Sequence, residues 1–125
     1  MFQLLRTARA KKTSRRGLQY LDREHPGWEN RIPADVDISS GEHCVVVHLT
    51  GKHYNEGITI LGISNPAYLG FCVYGSPGDQ AAIAEYSVLT SEFRAGRDDR
   101  LKLKKQQTLL ASELDRQDVE NLVEV

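Results

Sequence analysis

The residues best suited to chemistry lie close together, in the stretch SSGEHCVVVHLTGKHY at positions 39–54. Thiolates and imidazoles are common zinc ligands, and on a helix Cys44 and His48, four residues apart, share one face. His43 then points about 100° away from Cys44. A tetrahedral site needs further ligands, and the remaining candidates are His25, His53 and Cys72. The spacing matches no zinc module, so we expect these side chains to pack rather than to bind metal.

Other catalytic and ion-binding patterns also fail. A nucleophilic Cys44 would need an exposed thiol in a positively charged niche, but it leads into three valines and should be inert. The segment from Asp35 begins like a calcium-binding loop, yet Ser40 replaces the required glycine and Val46 the required glutamate. Motifs of nucleotide-binding proteins, serine hydrolases and zinc proteases are absent. We predict no catalytic residue, no metal ligand and no cofactor.

A basic cluster near the start offers a different kind of binding. Its members are Arg6, Arg9, Lys11, Lys12, Arg15 and Arg16. Such residues bind phosphates through charge, and helical spacing places Arg9, Lys12 and Arg16 on one side. However, residues 25–93 hold eight acidic and two basic side chains, which would repel a duplex, and the cluster lacks interleaved aromatic residues. Binding to nucleic acid and binding to a protein partner both stay open for this cluster.

Size and composition indicate a single intracellular domain. The chain has 125 residues and two cysteines, both within apolar runs, which favours a reducing compartment. No apolar run approaches the roughly 18 residues of a membrane span, so we expect a soluble protein without membrane contact. Charge alternates along the chain, because residues 94–105 carry a net +4 and residues 106–125 a net −4. This alternation suggests charged extensions around an acidic body, which leaves homo-oligomers open.

The pattern predicts a mostly α fold of several short helices. We expect a basic N-terminal arm or helix extension at 1–16, a globular core at 17–96 and a charged C-terminal helix or tail at 97–125. Because the last segment carries Leu103, Leu110 and Leu114 among many charges, it should be a helix that needs a partner surface, or else a partly disordered extension. The stretch Ala8–Gly17 has no large apolar residue and therefore no evident docking face. The alternative is an α+β domain with short strands at 44–49, 58–63 and 71–75, because runs such as CVVV also suit strands.

Helix boundaries follow from capping residues. Ser39-x-x-Glu42 matches a capping box that would start a helix, and Gly51 would end it. His25-Pro26 should end the first helix, and Gly62 and Gly70 should end two short ones. The last core helix should begin at Ser76 and Pro77 and end at Gly96. The expected core consists of Trp28, Cys44, Leu49, Tyr54, Ile58, Leu61, Tyr86, Leu89 and Phe93.

The segments LDREHPGWENRI, DISSGEHCVVVHLTGKHYNEGITILGI and a later GF, within Leu18 to Phe93, carry a family resemblance. They resemble a group of small proteins without an assigned activity that are encoded by phages of actinobacteria and by the genomes of their hosts. Ser40 or Gly41 stands where that pattern has a second cysteine, and Val47-His48 where it has Gly-Gln. The resemblance implies a phage or prophage accessory protein with a small compact domain, and it implies no activity.

We therefore expect a non-enzymatic phage or prophage accessory protein that acts through protein–protein interaction with a host or phage protein. It should reside in the host cytoplasm, and association with the virion stays open. The first alternative is a nucleic-acid-binding accessory protein that uses the basic arm. A small metal-binding protein is the third hypothesis.

Overall fold

Two long helices with shorter helical turns between them form the framework. A computed structural model describes the backbone of residues 2–73 and 79–123, and the side chains of residues 5–73 and 79–116. The α helices within these ranges are α1, Phe2–Glu24; α2, Val45–Thr50; α3, Tyr54–Leu61; and α4, Gln80–Val123. Two 3₁₀ helices, Trp28–Asn30 and Pro66–Leu69, lie in the connections. The mostly helical, single-domain prediction is confirmed.

The alternative with strands is wrong for the residues that can be judged. The expected strand at 44–49 is the N-cap residue Cys44 and all but the last residue of α2, and the one at 58–63 is the end of α3 with its turn. Residues 71–73 are irregular, and residues 74–75 lie outside the described ranges. The β-branched run enters a helix because Gly51, at φ 71°, closes α2 with a hydrogen bond from its N–H to the Val47 carbonyl.

Helix α1 packs along α4, and the two run parallel. Arg9 contacts Glu85, Gly17 lies against Phe93, and Leu18 against Gly96, so positions increase together on both helices. The expectation that Ala8–Gly17 has no docking face is wrong. Its buried face consists of small residues, which let the two backbones approach closely; these are Ala10, Ser14 and Gly17. The expected boundary at residue 16 therefore falls inside a continuous helix.

Gly96 does not end the last helix as expected, because α4 continues without a break to Val123. This glycine is a packing residue. A Cβ placed there would lie 2.7 Å from both methyl carbons of Leu18, so a larger residue would displace the Leu18 side chain. The expected boundary between residues 96 and 97 is therefore also inside a helix. The expected start at Ser76 and Pro77 lies outside the described residues, and Asp79 accepts a hydrogen bond from the Ala81 N–H just before α4.

The predicted capping box is also wrong. Helix α2 begins at Val45, and Cys44 occupies the N-cap position without a side-chain cap. The Ser40 hydroxyl accepts hydrogen bonds from the backbone N–H groups of Glu42 and His43, at 3.2 and 3.1 Å. Serine therefore closes a turn that precedes the helix, which is the other local structure this side chain favours. By contrast, the predicted ends of α1, of α3 and of the Pro66–Leu69 turn are confirmed.

The core lies between the two long helices and the connecting segment. Five expected core residues are buried, namely Trp28, Cys44, Leu49, Leu89 and Phe93. Four are half-buried against them, namely Tyr54, Ile58, Leu61 and Tyr86. The irregular stretch 31–38 adds Ile32, Val36 and Ile38, all at most 4% exposed. A turn-rich segment thus supplies a substantial share of the core.

Side chains of α4 hold that segment in place. The Arg94 Nε donates to the Val36 carbonyl at 2.8 Å, and the Arg97 Nε donates to the Ile32 carbonyl at 2.5 Å. The Thr90 hydroxyl accepts the buried N–H of Ile38 at 3.0 Å. Backbone N–H and C=O groups of this loop that have no partner in a helix or sheet therefore form hydrogen bonds with α4. These bonds offset the free-energy cost of burying the loop.

Candidate interaction surface on the long helix

Helix α4 is much longer than the body that it crosses. Its 44 residues span about 66 Å, whereas the 23 residues of α1 span about 35 Å. The parallel contact ends near Asp22, whose carboxylate accepts two hydrogen bonds from Arg100 at 2.8 and 2.7 Å. Every side chain described from 102 to 116 is exposed. We call residues 102–123 the overhang, because this part of α4 extends beyond the end of α1.

The overhang carries a row of exposed leucines. Leu103, Leu110 and Leu114 are 54%, 59% and 55% exposed, and their spacing of seven and four places them on one face. We call this face, with Gln107, the leucine seam. Leu109 is 60% exposed, but it lies about 100° around the helix from Leu110 and so is outside the seam.

The leucine seam continues the face of α4 that α1 covers in the body. Two rows of residues, each repeating every seven positions, form this face; they are Ala82, Leu89, Gly96, Leu103 and Leu110, and Tyr86, Phe93, Arg100, Gln107 and Leu114. In the body these positions are covered by packing, and in the overhang they are bare. Such a repeat is the pattern of a helix that packs against another helix.

Exposure of the leucine seam is unfavourable in free energy for an isolated chain. Burial of one leucine side chain contributes about 1.5–3 kcal/mol, so three exposed leucines forgo several kcal/mol. Most of the stability of helices in proteins comes from packing of an apolar face, and the single chain does not cover the seam side chains that the structure describes. The overhang thus has the apolar character of a surface that becomes covered when the protein binds a partner.

The base of the overhang is fixed to the body by a polar cluster. Asp22 accepts hydrogen bonds from Arg100 and, at 2.9 Å, from the indole N–H of Trp28. These bonds, that from Arg100 above all, hold the pKa of Asp22 below its usual value, although burial opposes the shift. The Arg100 guanidinium also lies 5.7 Å from the Trp28 ring centre. The direction in which α4 leaves the body is therefore defined by an ion pair on a buried tryptophan.

The six residues of the basic cluster do not form one free surface. Arg9 makes a bidentate ion pair with the buried carboxylate of Glu85, at 2.8 and 3.0 Å. The Arg16 guanidinium lies 4.0 Å from the centre of the Tyr68 ring. Arg6 is half-buried, and Lys11, Lys12 and Arg15 are exposed. Arg9 and Arg16, two of the three residues expected to act together, thus bind parts of the same molecule.

The histidine and cysteine stretch forms part of the core. Cys44 is 2% exposed, and burial raises the pKa of its thiol, which opposes formation of the reactive thiolate. The rings of His43 and His48 stack with centres 6.1 Å apart. Among the residues that the structure describes, no three His, Cys, Asp or Glu side chains are grouped to hold a metal ion. Neither Cys72 nor His53 completes a site with Cys44 and His48.

Instead, a tyrosine lies among the sulfur-containing and histidine side chains. Burial, followed by the Cys72 thiol, strongly raises the pKa of Tyr54, so its hydroxyl stays protonated. The hydroxyl oxygen of Tyr54 and Nε2 of His48 are buried without a hydrogen-bond partner of normal geometry. Both atoms are buried polar groups, one on α2 and the other on α3.

Sequence reasoning identified the leucines of the tail but missed the contacts that position them. The Arg9–Glu85 and Asp22–Arg100 pairs join residues 76 and 78 positions apart, and no local pattern signals such partners.

None of the helices described in this chain is both long enough and apolar enough to cross a lipid bilayer. Comparison with protein-family models, curated proteins and solved structures finds no match to this chain.

Proposed function

We propose that this protein is a non-enzymatic interaction protein that binds a protein partner through the leucine seam of its overhang. The observation that carries the proposal is the set of three leucines, each more than half exposed, on a helix that projects beyond the folded body. A contiguous apolar surface of this kind marks a contact site in a folded protein. The body supplies the anchorage, through the Asp22–Arg100 pair, that sets the direction of the overhang.

Burial of the groups best suited to chemistry supports a binding role over catalysis. Burial raises the pKa of the Cys44 thiol and so favours its protonated form, and the Tyr54 hydroxyl and His48 Nε2 are buried. The resemblance to small proteins of actinobacterial phages and prophages supports an accessory role in an infected or lysogenic host cell. In that setting the partner is a host or phage protein in the cytoplasm.

A photo-cross-linking amino acid in place of Leu110 tests the proposal in the cells in which the protein occurs. We expect irradiation to yield a discrete cross-linked product, whether with a second copy or with another protein. The matched control places the same amino acid at Leu109, which has almost the same exposure but lies outside the seam. Equal cross-linking at the two positions, or none at Leu110, would contradict the proposal.

A nucleic-acid-binding accessory protein is the second candidate. The observation in its favour is that Lys11, Lys12 and Arg15 are exposed on α1. Three cations give a weak contact that depends on salt concentration, because each neutralised phosphate releases about one counterion. Retention on a DNA or RNA column that is lost when Lys11, Lys12 and Arg15 become alanine, but not when Leu110 becomes glutamine, would favour this function over the first.

A further inference from the structure

The charges on the overhang have an order that indicates what covers the leucine seam. Residues 102–105 contain three lysines and no acidic residue, whereas residues 113–120 contain four acidic residues and one arginine. The base of the overhang is thus positive and its tip negative, and of the three lysines Lys104 also lies 3.9 Å from the Glu29 carboxylate of the body. This order does not serve the isolated helix, because acidic residues near a helix C-terminus are unfavourable toward the helix dipole, and the last turn of α4 has no basic residue.

An identical overhang in the opposite direction complements this order. If two copies align antiparallel, the lysines at the base of each helix face the acidic tip of the other. A parallel pair would instead place lysines against lysines and acids against acids. The seam also fits a two-helix coiled coil, because its positions alternate at the spacing of four and three residues.

We propose that two copies of this chain pair through their overhangs as an antiparallel coiled coil, with Leu110 of each copy packed against Leu114 of the other. This inference rests on the proposed function and names a second copy as the partner. The two-fold axis then passes near Ser112, and the tip of each helix reaches the base of the other, close to Leu103. There it covers the α4 face at the point where α1 ends and a groove of about 330 Å³ opens beside Leu103 and Asp22.

Association of the purified full chain tests the pairing. We expect sedimentation at a series of concentrations to show a reversible dimer. Leu110→Gln should weaken it at least about tenfold, since each dimer loses two buried leucines. The control Leu109→Gln, the same chemical change one position away, should alter the dissociation constant by less than about twofold. A chain that stays monomeric at every concentration, or equal effects of the two variants, overturns the proposal.

The direction of pairing is tested by distance and by charge. Spin labels on Asp98→Cys, in a Cys72→Ser background, should lie about 40 Å apart along the axis in the antiparallel pair, and about 20 Å or less in a parallel pair. Replacing Lys102 and Lys105 together by glutamate should weaken an antiparallel dimer at low salt, because acids then face acids. Lys104 is left unchanged, because it pairs with Glu29 of its own body at 3.9 Å. A short label distance, or a dimer unaffected by this replacement, overturns the antiparallel arrangement.

The two proposals fail in different ways. If the purified chain is monomeric but the photo-cross-linker at Leu110 captures a different protein in cells, the second-copy inference is overturned and the interaction function remains. If neither position cross-links in cells and the purified chain stays monomeric, both are overturned.

Discussion

Substitution Gly17→Ala separates the packing role of this glycine from helix propensity. In an exposed helix, alanine stabilises relative to glycine by about 1 kcal/mol. At Gly17, however, an added Cβ would overlap the backbone carbonyl oxygen of Leu69 and lie 2.7 Å from the Phe93 ring. Backbone cannot rotate away as a side chain can, so α1 or the Pro66–Leu69 turn must shift. Overpacking of this kind costs about 1–3 kcal/mol, and more where backbone is the obstacle.

We therefore expect Gly17→Ala to lower the free energy of unfolding by about 2 kcal/mol, although alanine is the better helix former. Urea denaturation followed by circular dichroism at 222 nm measures this difference. The matched control is Gly96→Ala, where the three atoms nearest to the added Cβ all belong to side chains, namely both methyl carbons of Leu18 at 2.7 Å and Arg100 Nη1 at 3.3 Å. Because these side chains can rotate, a change within about 1 kcal/mol is expected. A Gly17→Ala protein as stable as the parent, or more stable, would refute the close contact of α1 with the Pro66–Leu69 turn.

Two further predictions concern the ion pairs that join α1 to α4. Arg9→Met should destabilise the fold by about 2 kcal/mol in urea denaturation, because Glu85 is left buried without its partner. The exposed control Lys12→Met should change stability by less than about 0.5 kcal/mol. Equal effects of the two substitutions would contradict the buried pair. The depressed pKa of Asp22 means that its ion pair with Arg100 stabilises the fold above the ordinary carboxyl pKa, and that this contribution is lost as pH falls through the lowered pKa. Asp22→Asn should therefore lower stability at pH 7 by less than about 1 kcal/mol, since the pair is partly exposed. The difference from the parent should shrink as pH falls from the ordinary carboxyl pKa through the lowered pKa of Asp22, and a difference that does not shrink would show that the loss is not electrostatic.

The sequence predicted the ends of helices correctly where a helix ends on glycine or before proline. Gly51, Gly62 and Gly70 have positive φ, as their positions predicted, because a left-handed residue is required there. The capping box failed because the hydroxyl of its serine, Ser39, donates to the Asp37 carboxylate at 2.7 Å, and the next serine, Ser40, closes a turn instead of starting a helix. Gly96 misled because a glycine within a helix can serve close packing, and that role depends on a neighbour far away in the sequence.

The candidate surface was partly readable for a similar reason. Regular spacing of Leu103, Leu110 and Leu114 predicted a helix that needs a partner. What the spacing could not predict is where α1 stops along α4, because that depends on the parallel alignment set by small residues and by the Asp22–Arg100 pair. The basic cluster was overestimated because Arg9 and Arg16 bind Glu85 and Tyr68, residues with no local signature.

The most direct test of the interaction surface compares two neighbouring positions in living cells. Leu110→Cys and Leu109→Cys, each in a Cys72→Ser background, would be treated with a membrane-permeant maleimide in cells and again after denaturation. If a partner covers the leucine seam in cells, the cysteine at position 110 is protected from the maleimide and the cysteine at position 109 reacts rapidly. This difference is expected although Leu109 and Leu110 are almost equally exposed in the single chain. Equal and rapid labelling of the two cysteines would contradict the account.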